Sequence, residues 1–215
     1  MRLTGAVGDP QIVTVGTGWH EQLADRAEID VSFSATGKDR AAAVRDLGRA
    51  VAAAEPVFTF TGVEVRSRSL HVGTEWRRGK QSGARATETV QLRIIDLDVL
   101  EKVLGTVLAA EPASFNGPRW LLDDQAAARA SAQREAVADA RRRAEGYADA
   151  LGGTLGALQQ LTEAQDHSGG PMMMRAAAMD AGVRGPVDVT ELGLEPEPVR
   201  ITAQCTTTWA FVLAG

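Results

Sequence analysis

One long alanine-rich segment, Gln125 to Gly153, does most to limit what this chain can fold into. Its sequence, QAAARASAQREAVADARRRAEGYADALGG, is rich in strong helix formers and ends in two glycines, so it predicts a single helix of about eight turns. Because alanine buries little apolar area, such a helix is stabilised mainly by close approach to another element. We therefore expect it to lie flat on a sheet, with any surplus length available to a partner.

The predicted contact face of this helix follows positions spaced three and four residues apart. It comprises Ala126, Ala130, Val137, Ala140, Ala144, Ala148 and Leu151. The opposite side carries most of the charged residues, and Asp139 and Arg143 are spaced for a surface ion pair. The pattern predicts that one side of the helix faces the protein and the other faces water.

Strands are predicted where apolar and polar residues alternate. The segments with this pattern are RAEIDVSFSATG at 26–37, VEVRSRSLHVGTEW at 63–76, ATETVQLRI at 86–94 and the C-terminal 199–213, with TLGALQQLTEA at 154–164 a weaker strand. In the second of these segments the apolar positions change parity between Val65 and Leu70, which predicts either a β-bulge or a long strand that passes from one packing layer to another. Shorter helices are predicted to begin near Thr36 and after Asp96.

The order of these elements predicts an α+β fold. Strands joined by a hairpin and interspersed with helices favour an antiparallel or mixed sheet with helices on one face, including the long Ala-rich helix. The first part resembles a split βαβ unit. With 215 residues, of which 44% are hydrophobic, the chain is expected to form a single domain over residues 1–215.

Regular periodicity stops between residues 166 and 198, a segment rich in glycine, proline and methionine. This composition predicts a flexible loop or arm. Because methionine side chains adapt to irregular apolar surfaces, four of them are candidates for an interface with another subunit. They are Met172, Met173, Met174 and Met179. The alternative is a loop that folds over the core of its own domain.

The net charge of −5 excludes a general attraction to nucleic acid or anionic lipid, although a local basic patch could still act. One such patch is WRRGKQSGAR at 76–85, which places Trp76 beside Arg77 and Arg78. Aromatic residues next to basic ones are typical of nucleic-acid contacts. A solvated hairpin tip is the alternative, and the overall negative charge favours it. These three residues stay candidate interface residues, and no nucleic-acid partner is expected.

Residue types that carry chemistry are few and scattered. The single cysteine, Cys205, lies on the apolar side of an alternating strand, so we expect a buried, unreactive thiol. The three histidines lie far apart in sequence and do not predict a zinc site. VGTG at 15–18 lacks the third glycine of a dinucleotide fingerprint, because Glu21 takes that place, and we expect a strand glycine pair. No catalytic residue, cofactor or metal site is predicted.

The segment AQREAVADARRRAEGYADALGGTLGAL resembles the signature of the SIMPL-domain family. The matching positions are Ala136, Asp139, Ala140, Arg141, Ala144, Glu145, Ala148, Leu151 and Gly152. The early segment VTVGTGWHEQLADRAEIDVSFSATG is similar to the glycine-marked first strand and alternating second strand of the family. The resemblance implies an α+β domain of mostly unknown function that tends to self-associate and has no catalytic residues. Its bacterial relatives are often exported and described as oxidative-stress defence or immunogenic proteins, and an animal relative is a signalling adaptor.

Together these features predict a non-enzymatic scaffold that self-associates and works through protein contacts, with a link to stress defence implied by the resemblance. The alternative is a small-molecule-binding protein or enzyme with a pocket between the sheet and the 166–198 loop. The sequence before Asp9 has no apolar core of signal-peptide length, and no window of the chain is apolar enough to span a membrane. A cytoplasmic protein is therefore expected.

Overall fold

The computed structural model describes residues 9–164 and 193–213, and these form seven strands and three α-helices in an α+β arrangement. The elements are β1 Gln11–Leu23, β2 Arg26–Gly37, α1 Arg40–Ala52, β3 Val63–Arg77, β4 Lys80–Ile94, α2 Leu100–Ala109, β5 Ser114–Leu121, α3 Gln125–Ala150, β6 Gly153–Glu163 and β7 Pro198–Leu213. The strands form two antiparallel sheets, which confirms the predicted fold class. The chain divides into two compact units, one around each sheet, whereas a single domain over 1–215 stays a prediction.

The four-stranded unit contains the larger hydrophobic core. Its strands are ordered β3-β4-β2-β5, and α1 and α2 cover one face. Ile29, Val31 and Phe33 of β2 are at most 1% exposed, as the alternation of this strand predicts. Because β4 lies between β2 and β3, the β2-α1-β3 connection is a split βαβ unit, as predicted.

The predicted bulge in β3 is confirmed. The register between β3 and β4 shifts between Val65 and Ser67, and Val63 before the shift and Val72 after it both pack against the same core. The start of α1 differs from the prediction: β2 continues to Gly37, and the Asp39 side chain caps the helix by accepting a hydrogen bond from Ala42 N at 2.8 Å. Thr36 lies in the strand because its pairing with Arg85 extends the β2–β4 ladder.

The three-stranded unit pairs its strands in the order β1-β7-β6, with α3 on one face. The buried side of α3 is a row of alanines spaced four residues apart, namely Ala128, Ala132, Ala136, Ala140, Ala144 and Ala148. The predicted stripe is therefore right at Ala140, Ala144 and Ala148, whereas Ala130 is half-buried and the prediction is wrong at three exposed residues, Ala126, Val137 and Leu151. The residues of α3 that pack against the sheet are therefore those with the smallest side chains, and not the most apolar ones.

Two glycines of β1 explain this selection. A Cβ atom added to Gly16 would lie 2.0 Å from the carbonyl oxygen of Ala136, and one added to Gly18 would lie 2.2 Å from that of Ala132. The helix backbone thus lies directly on the strand backbone, as the strand glycine pair in VGTG allows. Hence close approach replaces bulky side chains in this part of the core.

A chain of hydrogen bonds crosses the interior of the same unit. Trp209 Nε1 donates to Thr207 Oγ1 at 2.9 Å, the Thr207 and Thr14 hydroxyls are 3.1 Å apart, and Thr14 Oγ1 donates to the Ala140 carbonyl at 2.8 Å. Since the Thr14 proton goes to Ala140, the Thr207 hydroxyl donates to Thr14. Both buried threonines are therefore satisfied, and strands β1 and β7 are tied to the middle of α3.

Candidate interaction surfaces

The uncovered side of the three-stranded sheet presents apolar side chains to solvent. We call this surface the open face and define it by Val13, Val15 and Trp19 of β1 and Val212 of β7, whose side chains alternate with residues facing α3. The exposed fraction is 59% for Val13 and 55% for Trp19. A sheet face in contact with water is normally polar, so four exposed large apolar residues make the open face a candidate interaction surface.

The open face ends at a charged cluster. The Arg200 guanidinium lies 4.5 Å from the centre of the Trp19 ring and donates to Glu21 Oε2 from Nε at 2.9 Å and from a terminal nitrogen at 2.8 Å. The ion pair holds the guanidinium over the aromatic ring, which fixes the ring against the sheet. The Trp19 side chain is therefore pre-ordered and has little conformational freedom left to lose.

A second surface is the tip of the β3–β4 hairpin. Trp76 is 68% exposed, and Arg78 and Gly79 occupy the turn with φ values of 51° and 76°. Positive φ at both central residues is the geometry of a two-residue type I′ hairpin turn. The prediction of a hairpin tip at WRRGKQSGAR is therefore confirmed, and the structure brings the aromatic residue and the cations of this segment to one end of the sheet.

The outer, polar face of the four-stranded sheet holds a buried carboxylate. Glu28 is 5% exposed and lies between its cross-strand neighbours Arg93 on β4 and Arg119 on β5. Arg93 donates to Glu28 Oε1 from Nε at 2.9 Å, and Arg119 donates to Glu28 Oε2. Burial raises the pKa of Glu28, but the hydrogen bonds and charges of the two arginines outweigh it and hold the pKa below its ordinary value.

The cysteine is buried, as predicted, and borders a small cavity of about 110 Å³ between α3 and the sheet. Ala136, Ala203 and Cys205 line it, together with Gln133, whose amide donates to Glu163 at 2.8 Å. Ligand-binding pockets usually measure about 300–1,000 Å³. This cavity therefore suits only groups about the size of a few water molecules.

Burial raises the pKa of the Cys205 thiol, and the charges of Asp139 and Glu163 raise it further, against a lowering hydrogen bond from the Gly16 backbone. We expect this thiol to react with Ellman's reagent at pH 8 roughly tenfold or more slowly in the folded protein than in urea, because thiolate and access are both reduced. Equal rates in the two conditions would contradict this prediction. Free glutathione treated in parallel corrects for the effect of urea on the reagent.

The other sequence-predicted residues fall in three groups. Met172, Met173, Met174 and Met179 lie outside the described residues, as does most of segment 166–198 with its predicted pocket. Arg77 ends β3, and Trp76 and Arg78 lie exposed beside it. Within residues 9–164 and 193–213, no three His, Cys, Asp or Glu side chains gather in a way that could hold a metal ion.

Sequence reasoning missed the open face and the Glu28 cluster. The first had a visible signal, because VTVGTGW places small residues on one side of a strand and Val13, Val15 and Trp19 on the other. The second had a weak one: Glu28 alternates with buried residues like any solvent-facing carboxylate, and its two arginines lie on strands distant in sequence.

Comparison with known proteins places the chain in a family. Residues 12–209 match the SIMPL family, described as "Protein of unknown function (DUF541)". The chain belongs to this family, which confirms the resemblance seen in α3 and in the first two strands. No curated protein matches the chain. Among the helices of the described residues, none combines the length and apolar character needed to cross a bilayer.

Proposed function

We propose that this SIMPL family member is a non-enzymatic scaffold that self-associates through the open face of its three-stranded sheet. The observation that carries the proposal is the exposure of Val13, Val15 and Trp19 on a face whose other side is already packed against α3. Burying these side chains against a second apolar surface would be favourable at about 25 cal/mol for each Å² removed from water.

A second copy of the chain is the partner that suits this surface best. The β1 segment from Gln11 to Trp19 contains no ionisable side chain, so nothing in it selects a partner of opposite charge. In a two-fold interface the same patch meets itself, and like charges at its centre would repel. An uncharged strand of valines and threonines avoids that repulsion. The link to oxidative-stress defence, implied by the family resemblance, is a further part of this proposal, as is a cytoplasmic location.

Light scattering coupled to size-exclusion chromatography tests the self-association. We expect the wild-type chain to have a native mass at least twice its 22.7 kDa, and the Val13→Glu/Val15→Glu variant to approach 22.7 kDa. Both side chains point outward, so the charges oppose association without entering the core.

Val44→Glu is the matched control. Val44 on α1 is 40% exposed, against 41% for Val15, and we expect its substitution to leave the native mass unchanged. A wild-type chain that stays at 22.7 kDa at high concentration would refute self-association. An oligomer that persists in the Val13→Glu/Val15→Glu variant would place the interface elsewhere.

A further inference from the structure

The tip of the β3–β4 hairpin projects beyond the rest of its sheet. Strand β2 pairs with β4 as far as Gly37 opposite Ala84. Past that point β3 and β4 pair only with each other, through rungs such as Trp76 opposite Gln81. At about 3.4 Å for each residue, the free end of the ribbon extends roughly 10 Å. It is a two-stranded ribbon.

The most exposed large apolar side chain of the described residues lies at this tip. Trp76 is 68% exposed, and its neighbours in the segment WRRGK are three cations with no carboxylate. Within the described residues, neither Arg78 nor Lys80 forms an ion pair, whereas Arg85 farther down the ribbon donates to Glu75 at 2.7 Å. Cations thus follow the exposed indole in the sequence, while the carboxylate of Glu75 before it is paired with Arg85.

The turn has a charged residue, Arg78, in a backbone conformation that arginine does not favour. Arg78 has a φ of 51°, a left-handed conformation that asparagine or glycine adopts more readily. A turn chosen for stability alone would carry Asn-Gly at these two positions, and this chain has Arg-Gly instead. The arginine at the tip is therefore better explained by a contact that uses its charge.

We propose that this hairpin tip docks on the surface of an anionic lipid bilayer, independently of the self-association described above. The Trp76 indole enters the boundary between headgroups and acyl chains, where tryptophan is favoured, and Arg78 and Lys80 contact the negative headgroups. Single-stranded nucleic acid is the less suitable partner, because it is bound through several stacking platforms, and the described residues of this tip provide one exposed indole. The net charge of −5 keeps the rest of the protein off the membrane, so docking depends on the tip.

Sedimentation with vesicles tests the proposal. We expect the wild-type chain to partition onto phosphatidylcholine vesicles containing 30% phosphatidylserine, and not onto pure phosphatidylcholine. The Arg78→Gly/Lys80→Ser variant should partition about thirtyfold less, since each cation near an anionic surface contributes several-fold to binding. The glycine suits the positive φ at position 78, so the variant keeps its turn.

Arg45→Ser/Arg49→Ser is the matched charge control. These two arginines are exposed on α1 of the same unit, and their loss changes net charge by the same amount. Their removal should alter partitioning less than twofold, so an equal loss in both variants would overturn the proposal. So would equal partition of the wild-type chain onto neutral and anionic vesicles, or tip-dependent binding to single-stranded DNA without binding to vesicles.

Depth-dependent quenching by brominated lipids gives a second measurement that does not rely on removing charge. We expect quenching of wild-type tryptophan fluorescence on anionic vesicles, and loss of most of that quenching in Trp76→Phe, because Trp76 is the tryptophan of the proposed docking tip. Phenylalanine is a conservative replacement at an exposed position, so folding is maintained. Unchanged quenching in this variant would overturn the placement of the indole in the bilayer.

Discussion

Replacing Gly16 by alanine is expected to unfold the three-stranded unit or to destabilise it by about 3–5 kcal/mol. The new Cβ would lie 2.0 Å from the carbonyl oxygen of Ala136 and 2.5 Å from the amide nitrogen of Ala140. Both are backbone atoms of α3, so no side-chain rotation relieves the overlap. The helix must lift off β1 or bend, and either movement breaks the hydrogen bond from Thr14 to Ala140. Denaturant unfolding followed by circular dichroism measures the loss.

Gly146→Ala is the control for this substitution. Gly146 lies in the same helix, and a Cβ added there would have no atom within 4 Å. Because glycine in a helix interior costs about 0.5–1 kcal/mol relative to alanine, this variant should be more stable than the wild-type protein. Similar free energies of unfolding for Gly16→Ala and Gly146→Ala would contradict the close packing of α3 on β1.

The sequence predicted where α3 begins and ends, and it predicted three residues of the buried face, Ala140, Ala144 and Ala148. Asp124 caps the helix by accepting a hydrogen bond from Ala127 N at 2.8 Å. Hydropathy could not locate the rest of the buried face of α3. It favours Val137 and Leu151 as interior residues because they are the most apolar side chains near the predicted stripe. The size of the side chains that a helix can bury depends on the residues of the strand that it packs against. Here the glycines of β1, more than a hundred residues away, settle it.

Sequence patterns predicted correctly those features that depend on residues close together in the chain. The parity change in β3 predicted its bulge from residues within that one strand, and the structure confirms it between Val65 and Ser67. The division of the strands into two sheets was beyond such reasoning. Each strand carries an apolar side whichever sheet it joins, and the pairing of β1 with β7 depends on contacts between opposite ends of the chain.

The two units use opposite means to stabilise a sheet. The four-stranded unit fills its core with bulky residues such as Phe33. Its polar groups lie on the outer face of the sheet, where Glu28 is buried. Among its described residues, the three-stranded unit has few bulky buried side chains, and Val13, Val15 and Val212 are exposed. A thin core with an apolar exterior gains stability when a partner covers that exterior, which is why the proposed self-association involves this unit.

Glu28→Ala is expected to destabilise the four-stranded unit by about 2–4 kcal/mol at pH 7, because it leaves Arg93 and Arg119 adjacent without the carboxylate that both contact. The estimate lies toward the lower part of the range for buried pairs, since the arginine side chains are 28% and 42% exposed and water screens them. Glu28→Gln keeps the shape of the side chain and isolates the loss of charge. Denaturant unfolding at fixed pH measures both variants.

The contribution of Glu28 to the free energy of unfolding depends on pH. The arginines hold the folded-state pKa of Glu28 below its ordinary value, so the unfolded chain takes up a proton first as pH falls. The carboxylate therefore stabilises the fold fully above the unfolded pKa of about 4.3, and this contribution disappears as pH falls through the lower folded pKa. We expect the free-energy gap between wild type and Glu28→Gln to be constant from pH 7 to 6 and to narrow below about pH 4. Glu64→Gln, which breaks an exposed pair with Arg66 at 3.7 Å, should change stability by less than about 0.5 kcal/mol at either pH. A gap that widens on acidification would mean that the buried carboxylate is strained and not stabilised by its two arginines.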